Sequence, residues 1–281
     1  MTVVGRILGR ARAEMVYAAM RRPKRRGWIE TTPEVVSKVR GQLESAGFDV
    51  PDLEIDVADY RSYIDRANYG RFEYYGRGKG PNFPQKSLEH YVASRLLDLG
   101  PDDVFIDVAC ASSPAPEIYE ELFGCVVYRQ DLIYPEGIHG NVIGGDAASM
   151  PIDAGFASAM ALHCAFEHFE GDADTRLIRE AARVLCTGGR LCVLPLYMNE
   201  TYAIQTDTRV LHMGDVSFEP EAIVYDARNY GQRHGRFYDV DQLARRVGSH
   251  LGPLTLTIHH VVNAHEVDPS CYLRFAAVFE K

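Results

Sequence analysis

Four sets of polar residues follow four apolar runs, in order, through the middle of this chain. Asp107 and a turn of small residues follow Val104, Phe105 and Ile106; Asp131 closes VVYRQD; Asp146, with Ala147 and Ala148, follows GNVIGG; His163, Glu167 and His168 stand in HCAFEH. Carboxylates accept hydrogen bonds from hydroxyl and amino groups, and a neutral imidazole takes the proton from an alcohol as it attacks. His163, directly behind its apolar run, is the first candidate for that base; His168 is the second, with Glu167 to orient it. The turn at Asp107 begins like a nucleotide-binding turn but puts Ala109, Cys110, Ala111, Ser112, Ser113 and Pro114 where glycines are expected. One such aspartate or histidine is ordinary capping or packing. Four sets in sequence mark a site. The spacing of His163, Glu167, His168 and Asp172 matches no metal-ligand motif, so no metal is assigned.

The elements that must position these residues alternate. Helices are expected over 87–100, 116–123 and the DADTRLIREAARVL stretch, and strands over 104–108, 125–129, 156–162 and 190–196. Such alternation implies parallel strands with crossover helices, and ligands in such sheets bind beyond the carboxyl ends of the strands. That is where the four polar sets fall. Upstream, Thr32 and Pro33 open a helix that ends near Gly47, and NYGRFEYYGRGKGPNFPQ reads as a lid or a surface connection. Two late strands are expected within LTLTIHHVVN and YLRFAAVFEK, preceded by a helix capped by Asp239. Before that helix, Tyr230, His234, Arg236 and Tyr238 are candidates for binding a polar molecule, since tyrosine and arginine suit stacking and hydrogen bonds to hydroxyls or carboxylates.

The 281 residues, 46% hydrophobic and 25% charged, suit one large α/β domain with additions. Six cysteines without paired spacing read as buried thiols. No apolar run is long enough for a membrane span and the N-terminus has no secretory signal, so a cytoplasmic location is the expectation. Residues 1–27 carry eight basic side chains against Glu14 alone, so the rest of the chain is more acidic than the net −9 suggests. Val4, Ile7, Leu8, Ala11, Met15, Ala18 and Ala19 give this segment a helical apolar face, for packing on its own acidic body or for peripheral contact with an anionic membrane. The acidic body argues against nucleic acid as a partner.

Over residues 86–198 the sequence resembles the class I S-adenosylmethionine-dependent methyltransferases, most closely their type-11 branch. VFIDVACAS stands at the family's strand, acid and GxGxG turn; VVYRQD at its ribose-binding acid; GDAASMPI at the acidic segment beside the adenine; LIREAARVLCTGGRLCVLPL at its helix, glycine turn and fifth strand, with Cys186-Thr187 replacing lysine-proline. The resemblance implies a Rossmann-like, doubly wound, mostly parallel seven-stranded sheet with an antiparallel edge strand and an N-terminal helical extension. It implies the division 1–85 for the extension and 86–281 for the methyltransferase domain, with its core at 86–198 and an acceptor-shaping part at 199–281. The cofactor is then S-adenosyl-L-methionine, S-adenosyl-L-homocysteine the product. Its contacts fall to Asp107, Ala109, Ala111, Ser112, Ser113, Asp131, Leu132, Asp146, Ala147 and His163. O-methylation of a small molecule or glycan, such as a sugar hydroxyl, is the favoured activity; a catalytically silent binding subunit and a nucleotide-dependent oxidoreductase are the alternatives, and a homodimer is left open. Alanine at the glycine places is expected to serve wherever φ is negative, and to cost about 1–2 kcal/mol where it is positive.

Overall fold

A computed structural model describes residues 3–211, 216 and 218–281, with backbone alone for 3–8 and 10. The N-terminal third holds α1 (Val3–Ala19), β1 (Lys24–Arg26), α2 (Pro33–Ser45), β2 (Asp52–Leu53), α3 (Val57–Ala67) and α4 (Phe83–Leu97). The middle alternates: β3 (Val104–Val108), α5 (Ala115–Phe123), β4 (Val126–Asp131), β5 (Gly137–His139), β6 (Val142–Gly144), β7 (Ala157–His163), α6 (Ala173–Val184) and β8 (Leu185–Leu194). The C-terminal part adds β9 (Ala203–Thr206), β10 (Ile223–Asp226), β11 (Gly235–Phe237), α7 (Val240–Arg246), β12 (Thr255–Val261), α8 (Ala264–Val267) and β13 (Phe275–Glu280).

The central sheet runs β2-β12-β13-β8-β7-β3-β4-β6-β5. Strands β8, β7, β3, β4 and β6 are parallel, while β13 is antiparallel to both its neighbours and β5 is antiparallel to β6. The architecture is the expected mostly parallel α/β sheet, with nine strands rather than seven. The two extra strands are short edge pieces: β5 from the YPEGIHGN hairpin, and β2, through which the N-terminal segment joins β12. The late antiparallel strand β13 lies inside the sheet, flanked by β8 and β12, because its fully apolar run FAAVF is buried along five positions.

The central strands are buried on both faces. Ile106, Val108, Met160 and Leu162 face a core built with α6 and α2; Phe105, Ala159 and Ala161 face one built with α4 and α5. Each fully buried Ile, Leu or Phe contributes about 1.5–3 kcal/mol relative to exposure. Helix α2 starts where Thr32 Oγ1 accepts the Val35 N–H at 3.3 Å and buries Val36, Val39 and Leu43. Helix α5 ends at Gly124, whose left-handed φ of 75° only glycine takes without strain.

A second sheet, β1-β10-β9-β11, lies above the carboxyl ends of the first. Helix α1 packs on it through Ala13 and Val16, with Val16 against Tyr202, Ile204 and Val224. The expected apolar face is therefore rotated: Ala11, Met15, Ala18 and Ala19 are exposed, Met15 at 63%. Lys24 sets the rotation, its Nζ donating to the Tyr17, Ala18 and Met20 carbonyls, and Arg26 pairs with Glu14 at 2.5 Å. The side chains of Val4, Ile7 and Leu8 lie outside the described residues. Among the described residues no helix is long and apolar enough to cross a membrane.

Candidate active site

The strand ends bring the sequence-derived residues to one edge. Asp107, at the end of β3, is fully buried; its Oδ1 accepts from His163 Nδ1 at 2.9 Å, and its Oδ2 has no hydrogen-bond partner. The turn that follows keeps a glycine-type backbone without the glycines, with Ala109 at φ 52° and Ala111 at φ 47°. Both alanines therefore stand where a positive φ is expected to cost about 1–2 kcal/mol. Three bonds hold the turn there: Ala109 N–H to Gln130 Oε1 at 3.2 Å, Cys110 N–H to the Gln130 carbonyl at 3.0 Å, and Ala111 N–H to Asp131 Oδ2 at 2.7 Å. Net hydrogen bonds of about 0.5–1.5 kcal/mol each are enough to offset the strain.

Asp131 accepts a second backbone N–H, that of Ile133, at 3.1 Å on Oδ1. Asp146 accepts from Ala148 N–H at 2.9 Å and from Arg176 at 3.0 Å. Burial raises its pKa, but the Ala148 N–H and Arg176 prevail and hold the carboxyl below its ordinary value. Leu132 is exposed and Ala147 buried. Ser112 is exposed; Ser113 is buried, and its Oγ accepts the Ala115 N–H at 3.2 Å.

The two candidate bases part company. The His163 side chain is 3% exposed. Its Nδ1 is taken by Asp107 and its Nε2 faces the Tyr119 hydroxyl at 3.3 Å, with the His90 ring packed edge-on at 4.8 Å. It lies beneath the surface, enclosed on every nitrogen. His168 stands instead in the wall of a cavity of about 630 Å³ at the carboxyl ends of β7 and β8. Its Nδ1 donates to the His234 carbonyl at 2.5 Å, which leaves Nε2 as the unprotonated nitrogen, and Glu167 Oε1 lies 3.6 Å from that atom. Glu167 Oε1 also accepts from Cys164 Sγ at 3.2 Å, while its buried Oε2 has no partner.

Of the four residues expected to bind an acceptor, Tyr230 lines this cavity and the other three are built into the fold. Arg236 is fully buried: it pairs with Asp174 at 2.9 Å and with Glu219, and donates to the Phe169 carbonyl at 2.8 Å and the Gly171 carbonyl at 3.0 Å. Tyr238 donates to Asp174 at 2.6 Å, and His234 Nδ1 to the Glu167 carbonyl at 3.0 Å. Burial, and then the Arg236 charge, push the His234 imidazole down to about 3. These three side chains lock β11 to the segment after β7, so the polar atoms of Arg236 and Tyr238 and the His234 Nδ1 are spent within the protein. Sequence analysis missed Trp28, Lys86, Tyr197, Gln205 and Arg274, which also line the cavity. They come from four regions far apart in sequence, with only Tyr197 and Gln205 near each other, so no local spacing could have grouped them. Among the described residues, no cluster of ligating side chains has metal-site geometry.

Residues 106–193 match the family model described as the methyltransferase domain of type 11. No curated protein matches the sequence. Among solved structures, the chain is similar to the Burkholderia thailandensis 1,6-didemethyltoxoflavin-N1-methyltransferase bound to its substrate and S-adenosylhomocysteine (13% identity, 92% of each chain, TM-score 0.46). It is also similar to the PH0226 protein of Pyrococcus horikoshii OT3 (16%, 79% of this chain and 98% of that one, TM-score 0.45). A third is the geranyl diphosphate C-methyltransferase of Streptomyces coelicolor A3(2) (15%, 90% and 98%, TM-score 0.39). The acceptors those proteins act on are their own. The matched segment runs from β3 to β8, and over it the chain is similar to the class I S-adenosylmethionine-dependent methyltransferases.

The edge fits the cofactor of that class in two respects. The turn after β3 has the left-handed backbone that glycines usually supply, and the buried Asp107 Oδ2 awaits a donor.

Proposed function

We propose that this protein transfers a methyl group from S-adenosylmethionine to a hydroxyl of a small, ring-bearing polar acceptor, a sugar hydroxyl in a glycan or glycosylated metabolite being the favoured case. The observation that carries this reading is His168: a histidine in the cavity wall with its tautomer set by the His234 carbonyl and its Nε2 free to take a proton. The cofactor supplies an already electrophilic methyl group, so the protein's part is orientation, exclusion of water and movement of one proton. The turn at 109–113 and the carboxylates of Asp131 and Asp146 hold the cofactor; each carboxylate keeps lone pairs beyond its present bonds for ribose hydroxyls and the adenine amino group. Tyr197, Tyr230 and Phe237 offer flat faces to a ring in the cavity. His168 Nε2 accepts the hydroxyl proton, and Glu167 stabilises the imidazolium that results.

One observation favours a silent binding subunit instead: both Asp131 oxygens already hold backbone N–H groups of the turn, Ala111 and Ile133. Calorimetric titration with S-adenosylhomocysteine, with NAD as control, separates the two. Micromolar binding of the first alone supports the enzyme; no binding overturns it. With an acceptor in hand, His168→Ala lowers turnover about 10²–10⁴-fold while S-adenosylhomocysteine affinity holds. Unchanged turnover removes His168 from the mechanism.

A further inference from the structure

The cavity holds two charged groups with unused hydrogen-bonding capacity. Glu167 is 4% exposed, and its Oε2 has no partner. Arg274, just before β13, lines the same cavity, and its guanidinium makes no hydrogen bond or ion pair with any described residue. The other cation in the wall, Lys86, is committed: it pairs with the buried Glu89 at 3.0 Å, and Gln85 donates to the same carboxylate at 2.8 Å. The two free groups stand on different strand ends. Glu167 follows β7; Arg274 sits beside the segment after β8, where the Leu196 N–H donates to the Phe275 carbonyl at 2.8 Å. Tyr197, in the same wall, reaches the Glu167 side through Cys164: its hydroxyl is 3.4 Å from Cys164 Sγ, the same thiol that donates to Glu167.

We propose that the acceptor is an acid: a ring bearing a carboxylate, which Arg274 receives, and a hydroxyl, which Glu167 and His168 receive. This rests on the methyl-transfer reading and names its substrate class. A planar guanidinium with five donors matches a carboxylate bidentately, and such a charge-assisted pair is stronger than a neutral one in a partly desolvated wall. A neutral acceptor would leave the Arg274 charge unmatched inside an aromatic-lined cavity, an arrangement that disfavours binding. The carboxylate also fixes which end of the ring faces His168, so it sets position as well as affinity.

Saturation-transfer NMR on the full-length protein, with S-adenosylhomocysteine present, tests this with two matched pairs: glucuronate against glucose, and 4-hydroxybenzoate against 4-hydroxybenzamide. The pairs separate a sugar acid from an aromatic acid. At least one acid is expected to bind tenfold or more tightly than its neutral partner. Arg274→Gln abolishes that preference and Arg274→Lys restores part of it. Arg274 holds no other side chain, so both variants keep the wild-type melting temperature. Equal binding of acid and neutral partners overturns the proposal, as does an unchanged preference in Arg274→Gln or the failure of all four probes. Failure of the methyl-transfer reading appears separately, as no binding of S-adenosylhomocysteine.

Discussion

The left-handed alanine at position 111 gives a sharp test, because strain, entropy and burial act on it with different signs. Its φ of 47° costs alanine about 1–2 kcal/mol relative to a right-handed backbone. Ala111→Gly removes that strain, loses about 0.4–1 kcal/mol through the freer unfolded chain, and gives up a methyl whose full burial would contribute only about 0.8 kcal/mol. The terms nearly cancel, so Ala111→Gly is expected to melt within about 2–4 °C of the wild type, the shift that 1 kcal/mol produces in a domain of this size. Ala111→Val goes the other way, since a β-branched residue in this region raises the strain by about 1–2 kcal/mol. Overpacking would not explain a loss there: Ala111 borders an open surface depression of about 310 Å³ shared with Tyr74 and Tyr134. Ala115→Gly is the control, a fully buried residue opening α5. It should lose about 1 kcal/mol of helix propensity and about 0.8 kcal/mol of methyl burial. Thermal melts of the three variants should place Ala111→Gly near the wild type, with Ala111→Val and the Ala115→Gly control both well below it. If Ala111→Gly fell as far as Ala115→Gly, or Ala111→Val were as stable as the wild type, the left-handed turn would be refuted.

Three further outcomes follow from the same contacts. Arg236→Met keeps volume but strips the Phe169 carbonyl of its partner and leaves Glu219 and the Gly171 carbonyl to Arg246; because Asp174 also retains Arg246 at 2.7 Å and Tyr238, the loss should sit near the low end of the range for breaking a buried pair, about 3 kcal/mol by urea unfolding. A loss under about 1 kcal/mol would mean the network is not closed as described. His234, pushed down to about 3, and His90, held well below 6.5 by burial and by His163, stay neutral in the fold while the unfolded chain takes up their protons. Their contribution is present above pH 6.5 and is lost as pH falls below it, for His234 by about 2 kcal/mol between pH 7 and 5. Urea titrations at the two pH values in wild type and His234→Gln read this, and an identical pH slope in both would contradict it. Asp131→Ala removes the acceptor of the Ala111 and Ile133 N–H groups together with any ribose contact, and should weaken S-adenosylhomocysteine binding by about 1.5–3 kcal/mol in calorimetry. Unchanged affinity would remove Asp131 from the cofactor site.

The alternating core was legible in the sequence because its signals are local. Val104–Val108 is an unbroken apolar run and forms β3 over those residues. Thr32 and Asp239 announce their helices by cap chemistry acting within three residues. The rule that ligands meet the carboxyl ends of parallel strands then placed Asp107, Asp131, Asp146 and the HCAFEH segment on one edge. What local pattern could not decide was which polar side chains face a ligand and which bind the protein itself. His163 and His168 are five residues apart and chemically alike, yet Asp107 and Tyr119 enclose the first while the turn after β7 carries the second into the cavity. Arg236 and Tyr238 read as candidates for binding a polar molecule, but the pairing of β11 with β9 brings them onto Asp174, a partner more than sixty residues away. Trp28 and Arg274 entered the site through the pairing of β1 with β10 and of β13 with β8, contacts between segments about two hundred and about ninety residues apart. The sequence by itself determined the class of fold, the order of its strands' polar ends and the likeness of residues 106–193 to a methyltransferase domain, all of which are written in neighbouring residues. Only the tertiary structure decided which base is open, which charges are spent and which remain for an acceptor, because those depend on long-range pairing and burial that no short stretch of sequence contains.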